Sequence, residues 1–217
     1  MSAKRVLLVL GGMYHDFDGF AAAMRLLLDG AGHSLTDTYD LDLLNQLDRS
    51  DYDLVMSYTS LSRHREGEQD TTPETLTEDQ VRNLTHWVNT GGALLAVHGA
   101  TVSGTPNVEM RALMGGVFVS HPPQFSFMVY PMYRPHPITE GIEAFAVKDE
   151  FYVQDYDETD DVHMVAIDRG VAYPMVWTRD QGQGRVAHIA MGHGPEVWRL
   201  PPYQRLVLQS IAWLTSR

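Results

Sequence analysis

Apolar positions follow two periods along this chain, and they alternate. Residues 4–10 (KRVLLVL) are a near-continuous apolar run closed by Gly11-Gly12, the pattern of a strand buried on both faces. Residues 17–29 place Phe17, Phe20, Ala21, Met24, Leu27 and Leu28 at helical spacing, and Gly30 ends the helix. Residues 33–39 read as a second strand, 41–47 as a short helix and 52–58 as a third strand. Residues 62–73 are polar and irregular, a loop. Thr77 opens a helix to Asn89 with a capping-box pattern, Gln80 standing three residues on. Residues 93–97 predict a buried strand, and His98-Gly99-Ala100 a sharp turn at its end. A short helix follows at 109–114. Strands are then predicted at 125–130, 162–168, 174–178 and 185–190, and a closing amphipathic helix at 203–214.

Repeated strand-helix-strand units predict one α/β domain over residues 1–217. The expected form is Rossmann- or flavodoxin-like: a mostly parallel sheet with right-handed crossovers and helices on both faces. In such sheets ligands bind at the carboxyl ends of the strands. Tyr14, His15 and Asp16 then follow the first strand, His98 follows the fourth, and Gly192-His193-Gly194 follows the last. Residues far apart in sequence are expected to meet on one rim.

Composition narrows the chemistry. The chain of 217 residues has no cysteine, so disulfides, thiolate zinc sites and a cysteine nucleophile are excluded. Its net charge of −12 disfavours nucleic acid as a partner. The longest apolar run is too short to cross a bilayer, and the N-terminus reads as a strand, so no membrane association and a cytoplasmic location are expected. The acidic runs at 155–161 (DYDETDD) and 66–70 (EGEQD) read as solvated loops. Ten histidines are many for this length. No phosphate loop, G-x-G-x-x-G or G-x-S-x-G is present, so neither a nucleotide cofactor nor a serine hydrolase is expected.

Three segments carry candidate chemistry. GGALLAVHGA (91–100) has the layout of a nucleophile elbow, in which small neighbours let one side chain rise above the sheet. Amidotransferases of this fold have a cysteine at that point. Here it is His98, suited to general base catalysis or metal ligation; the plainer reading is a histidine capping a strand end. AHIAMGHGPEV (187–197) brings His193 between two glycines, with Glu196 one residue further on than the amidotransferase acid. DEFY (149–152) supplies Glu150 as a carboxylate beside Tyr152, or else only a core Phe151 with exposed acids. In the first loop His15 is a ligand or substrate contact, and Asp16 is a helix cap. His121 and His136 precede prolines, and His136 looks the more structural. His33, His64, His86, His163 and His188 read as structural.

Together these segments resemble the ThuA-like (trehalose-utilisation) family of the class I glutamine amidotransferase-like superfamily. The resemblance rests on GGMYHD (11–16), GGALLAVHGA (91–100), GGVFVSHPP (115–123), HPITEGIEAFAVKDEFY (136–152), PMVW (174–177), QGRV (183–186) and AMGH (190–193). It implies an amidotransferase-like sheet and a role in metabolism of trehalose or related disaccharides, through 3-keto-sugars. It marks His15, His98, His121, Glu150, Tyr152 and His193. Beside the family the chain is expected to be compact, without an added module.

The leading expectation is therefore an enzyme acting on a small sugar: a hydrolase, lyase or isomerase, and not a glutamine amidotransferase. His98, His193 and Glu150 are the expected catalytic residues. The same three are the expected ligands of a divalent metal, zinc first. Tyr14, His15, His121 and Tyr152 are expected to touch substrate, with Tyr133 a further loop aromatic. The alternative is a non-catalytic sugar-binding or regulatory protein that kept the pocket. A homo-oligomer is compatible with either.

Overall fold

The computed structural model describes residues 2–61, 75–105 and 107–216. The 62–73 loop, His64 and the acidic run at 66–70 lie outside the described residues. Strands β1 (Arg5–Gly12), β2 (Ser34–Thr38), β3 (Leu54–Ser60), β4 (Ala93–Val97) and β11 (Gly184–Ile189) pair in parallel, in the order β2-β1-β3-β4-β11. The centres of β1, β3 and β4 are buried on both sides, as parallel strands between helix layers require, while the edge strand β2 buries only Leu35.

From β11 onward every pairing is antiparallel. The sheet continues β11-β10-β9-β6-β7, with β10 at Val171–Gln181, β9 at Asp161–Asp168, β6 at Phe125–Pro131 and β7 at Phe145–Asp149. The expected mostly parallel sheet therefore forms only in part, and the whole is a mixed sheet. Hairpin-length connections explain this: a parallel pair needs a long crossover, and β9, β10 and β11 are joined by turns too short for one. A further pair, β5 (Gly116–Ser120) and β8 (Val153–Tyr156), forms a separate antiparallel ribbon.

Helices cover both faces. On one side α1 (Phe17–Gly30), α4 (Pro195–Trp198) and α5 (Pro201–Leu214) bury Phe20, Met24, Leu28, Trp198, Leu206 and Ile211. On the other, α2 (Glu78–Asn89) and α3 (Val108–Met114) bury Val81, Leu84, Trp87 and Leu113. Burial of each such side chain contributes roughly 1.5–3 kcal/mol. Local signals act as read: Asp16 caps α1 by accepting from the Gly19 N–H, and Thr77 with Gln80 forms the full capping box of α2. Among the described residues no helix is long and apolar enough to cross a membrane.

The acidic run at 155–161 is a solvated turn only in part, with Asp155, Glu158 and Thr159 exposed. Its first residues belong to β8, and the Asp160 side chain is fully buried, 3.2 Å from the Arg179 guanidinium. That burial pushes Asp160 up to about 7, against the pull of Arg179.

Two structural histidines make stability depend on pH. His163 is buried with Nε2 2.7 Å from Thr178 Oγ1, and His188 lies 2.8 Å from the Gln154 side-chain amide. Burial lowers His163 to about 4 and His188 to about 3. Unfolding returns both to about 6.5, so the unfolded chain binds the extra protons. Their contribution is complete above about pH 6.5 and declines as pH falls toward 4, by about 1.4 kcal/mol per pH unit for each group. Urea unfolding at pH 7 and pH 5 should differ by roughly 2–4 kcal/mol on their account, and His163→Gln should remove its share. An unchanged difference in that variant would refute the assignment.

Candidate metal and active site

Four of the strands that point the same way deliver four side chains to one rim. His15 comes from the loop after β1, His98 from the end of β4 and His193 from the loop after β11. Glu150 follows β7. Four successive antiparallel pairings separate β7 from β11, so β7 again points the way β11 does. One ligand atom from each of His15, His98, Glu150 and His193 lies within 4.8 Å of all the others. Two bonds of about 2.1 Å to a shared ion span at most about 4.2 Å, so small side-chain movements would close the group on a cation.

His98 stands where the elbow was expected. It has φ 46°, the left-handed region, at the start of a 3₁₀ helix. A non-glycine residue pays about 1–2 kcal/mol for that conformation, here in exchange for lifting the ring off the strand. The ring is completely buried and stacks on Tyr152 at 4.1 Å between centroids. Its Nδ1 lies 2.7 Å from the Ala190 carbonyl oxygen, so Nδ1 carries the proton and donates. In neutral imidazole Nε2 then holds only a lone pair. That nitrogen faces Glu150 Oε2 at 3.4 Å, acceptor against acceptor.

His15 repeats the arrangement. Its Nδ1 donates to the Met13 carbonyl at 2.9 Å, leaving Nε2 free. Burial, helped by the neighbouring His98, holds its ring down to about 3, so it is neutral at pH 7. His193 Nδ1 is 3.2 Å from Glu150 Oε2. That hydrogen bond raises the His193 pKa against its partial burial. Burial alone would raise Glu150, but the His193 hydrogen bond and the adjacent His98 ring outweigh it and hold the carboxylate well below its ordinary range. Two ligand nitrogens, His15 Nε2 and His98 Nε2, are buried without a hydrogen-bond partner among the described residues, and His193 Nδ1 meets only Glu150. Buried lone pairs gathered round a carboxylate need a cation between them, so the donor set fits a divalent metal.

The remaining candidates stand at different depths. His121 is part-exposed with Nε2 3.8 Å from Glu150 Oε1, beside the other carboxylate oxygen. Tyr152 is buried behind His98 rather than at the mouth. Tyr14 is 75% exposed with φ 69°. Tyr133 is not part of this rim: it follows β6, which runs opposite to β7, and so lies at the other end of the sheet. Glu196 is exposed in the first turn of α4, outside the group. Sequence reasoning treated His15 apart from the ligand group and passed over Asp149. The strand alternation of β7, with Val147 and Asp149 buried and Lys148 exposed, was the available signal for Asp149.

Comparison with known proteins agrees with the fold. The trehalose-utilisation (ThuA) family model matches residues 5–214. No curated protein sequence matches the chain. A ThuA-like protein from Parabacteroides merdae superposes with TM-score 0.79 at 19% identity, covering 99% of this chain and 91% of that one. One from Bacteroides uniformis gives 0.75 at 17% identity, covering 100% and 94%. A β-galactosidase from Bacillus circulans gives 0.61 at 11% identity; 97% of this chain matches 31% of that one. With a family model spanning nearly its whole length, the chain belongs to the trehalose-utilisation (ThuA) family.

Proposed function

We propose that this chain is a cytoplasmic enzyme of carbohydrate metabolism that acts on a keto-sugar of the trehalose type, with His15, His98, Glu150 and His193 holding a divalent metal. The carrying observation is the His98 Nε2 lone pair facing the Glu150 carboxylate at 3.4 Å, an arrangement that calls for a cation. The family description, trehalose utilisation, supports a sugar as substrate. Zinc is the ion that an imidazole-rich donor set favours. Once bound, such an ion polarises a carbonyl or acidifies a water.

The protein's own groups supply the rest. Asp-free imidazole tautomers at His15 and His98 are set by the Met13 and Ala190 carbonyls, so both present lone pairs inward. Tyr152 holds the His98 ring in plane. His121, at the mouth beside Glu150 Oε1, is placed to take or give a proton at a substrate oxygen. Tyr14 offers an exposed ring to the apolar face of a sugar.

Turnover of 3-keto-disaccharides, measured beside calorimetric sugar binding, tests the reading. Wild type should turn over and lose activity on chelation. His98→Ala should lose at least a hundredfold in turnover while keeping sugar affinity within several-fold. Sugar binding without turnover by the metal-loaded wild type would instead identify a binding protein.

A further inference from the structure

We propose that Asp149 is the positioning residue of the site: a buried carboxylate that ties the end of β7 to the loop after β11 and so sets Glu150 and His193 against each other. Asp149 is 1% exposed, and no lysine or arginine pairs with it among the described residues. A buried carboxylate without a cation is expensive to keep unless hydrogen bonds satisfy it. Here those bonds come from the backbone of the site itself. Asp149 accepts from the Gly192 N–H at 2.7 Å and the His193 N–H at 3.1 Å, and from the Glu150 N–H at 3.0 Å. Two of the three donors belong to the site residues, and the third to the residue before His193.

The loop is shaped to receive this carboxylate. Gly192 has φ 134°, and a Cβ there would stand 2.7 Å from the Tyr203 hydroxyl, so glycine is required. On the carbonyl side, Tyr58 Oη donates to Gly192 O at 3.0 Å and to His193 O at 3.2 Å, and Trp198 Nε1 donates to Gly192 O at 2.6 Å. Tyr58 and Trp198 belong to β3 and α4, in the parallel half of the fold. Asp149 is the link from this grip to the antiparallel strand that carries Glu150. The 3.2 Å approach of His193 Nδ1 to Glu150 Oε2 is its product. The consequence for metal affinity rests on reading the group as a metal site; the positioning itself does not.

The test uses isotope-labelled, tag-free protein. In metal-free wild type, NMR should detect scalar couplings across the hydrogen bonds from the Gly192 and His193 amide nitrogens to the Asp149 carboxylate carbon. Asp149→Asn puts an amide N–H against one of these donors. It should shift or broaden the His193 ring nitrogen signals and leave those of His163, which binds Thr178, in place. In a titration followed by visible absorption, Asp149→Asn should weaken Co²⁺ binding by roughly 10–100-fold. That loss should vanish in a His193→Ala background, where a merely structural effect would add. Missing couplings in wild type, or unchanged His193 ring signals in folded Asp149→Asn, would overturn the proposal. If Asp149→Asn does not fold, the wild-type couplings decide alone. Couplings and ring shifts as expected, with no Co²⁺ uptake by wild type, would sustain the positioning role and remove the metal reading.

Discussion

Zinc added to metal-free protein is expected to raise its melting temperature by roughly 8–16 °C. At a thousandfold excess over the dissociation constant, a ligand of the folded state adds about 4 kcal/mol of stability. For a domain of 150–250 residues, 1 kcal/mol moves the midpoint by about 2–4 °C. The gain comes from giving a cation to the unpartnered His15 and His98 nitrogens and to the His193–Glu150 pair beside them. His98→Ala and Glu150→Gln should each abolish most of the shift, since one removes a lone pair and the other the charge. His121→Ala should keep it, because His121 stands outside the group at 3.8 Å from Oε1. Elemental analysis of tag-free protein should find near-stoichiometric metal in wild type and little in His98→Ala. A midpoint indifferent to zinc, together with metal-free preparations, would end the metal reading.

Gly99→Ala is expected to damage the site from behind. Gly99 follows His98 in the elbow, and a Cβ there would stand 2.8 Å from the Thr59 carbonyl oxygen and 3.2 Å from His15 Cε1. The first of these atoms is backbone at the end of β3 and yields little. The His15 ring must therefore shift, or the turn after β4 must lift. Overpacking of this kind costs about 1–3 kcal/mol. Displacing one ligand should also reduce zinc affinity by at least about tenfold, on the scale of lost ligand positioning. Gly30→Ala is the control: nothing lies within 4 Å of its Cβ, and it should be neutral within about 1 kcal/mol. Denaturant unfolding and zinc titration of the two variants give the comparison. Wild-type zinc affinity in Gly99→Ala would mean that the elbow does not set His15.

Much of the fold was legible because its cause is local. The runs at β1, β3 and β4 are apolar on both faces, and only strands between helix layers need that. Asp16, Thr77 and Gln80 announced helix starts through hydrogen bonds spanning three residues. His98 and His193 were legible as rim residues because each comes after a buried strand and stands directly before a glycine. Strand direction was not legible in the second half. The side chains of β6, β9 and β10 read the same whichever way their neighbours run, and pairing over long separations decides it. Glu150 reaches the rim only because β7 comes back parallel to β11 after four reversals. The buried Asp160 shows the same limit, since its acidic neighbours hide the Arg179 that waits across the fold.

The chain by itself determined its family, its elements, the absence of thiol chemistry and three of the histidines to watch. These follow from periodicity, capping and residue identity, which act over a few positions. Only the tertiary structure decided that His15 joins His98, His193 and Glu150 in one group, that Tyr133 lies at the opposite end, and that Asp149 fastens the two halves of the sheet together. Such convergence depends on which way each strand runs and on a few ångströms between side chains distant in sequence, and no local pattern encodes either.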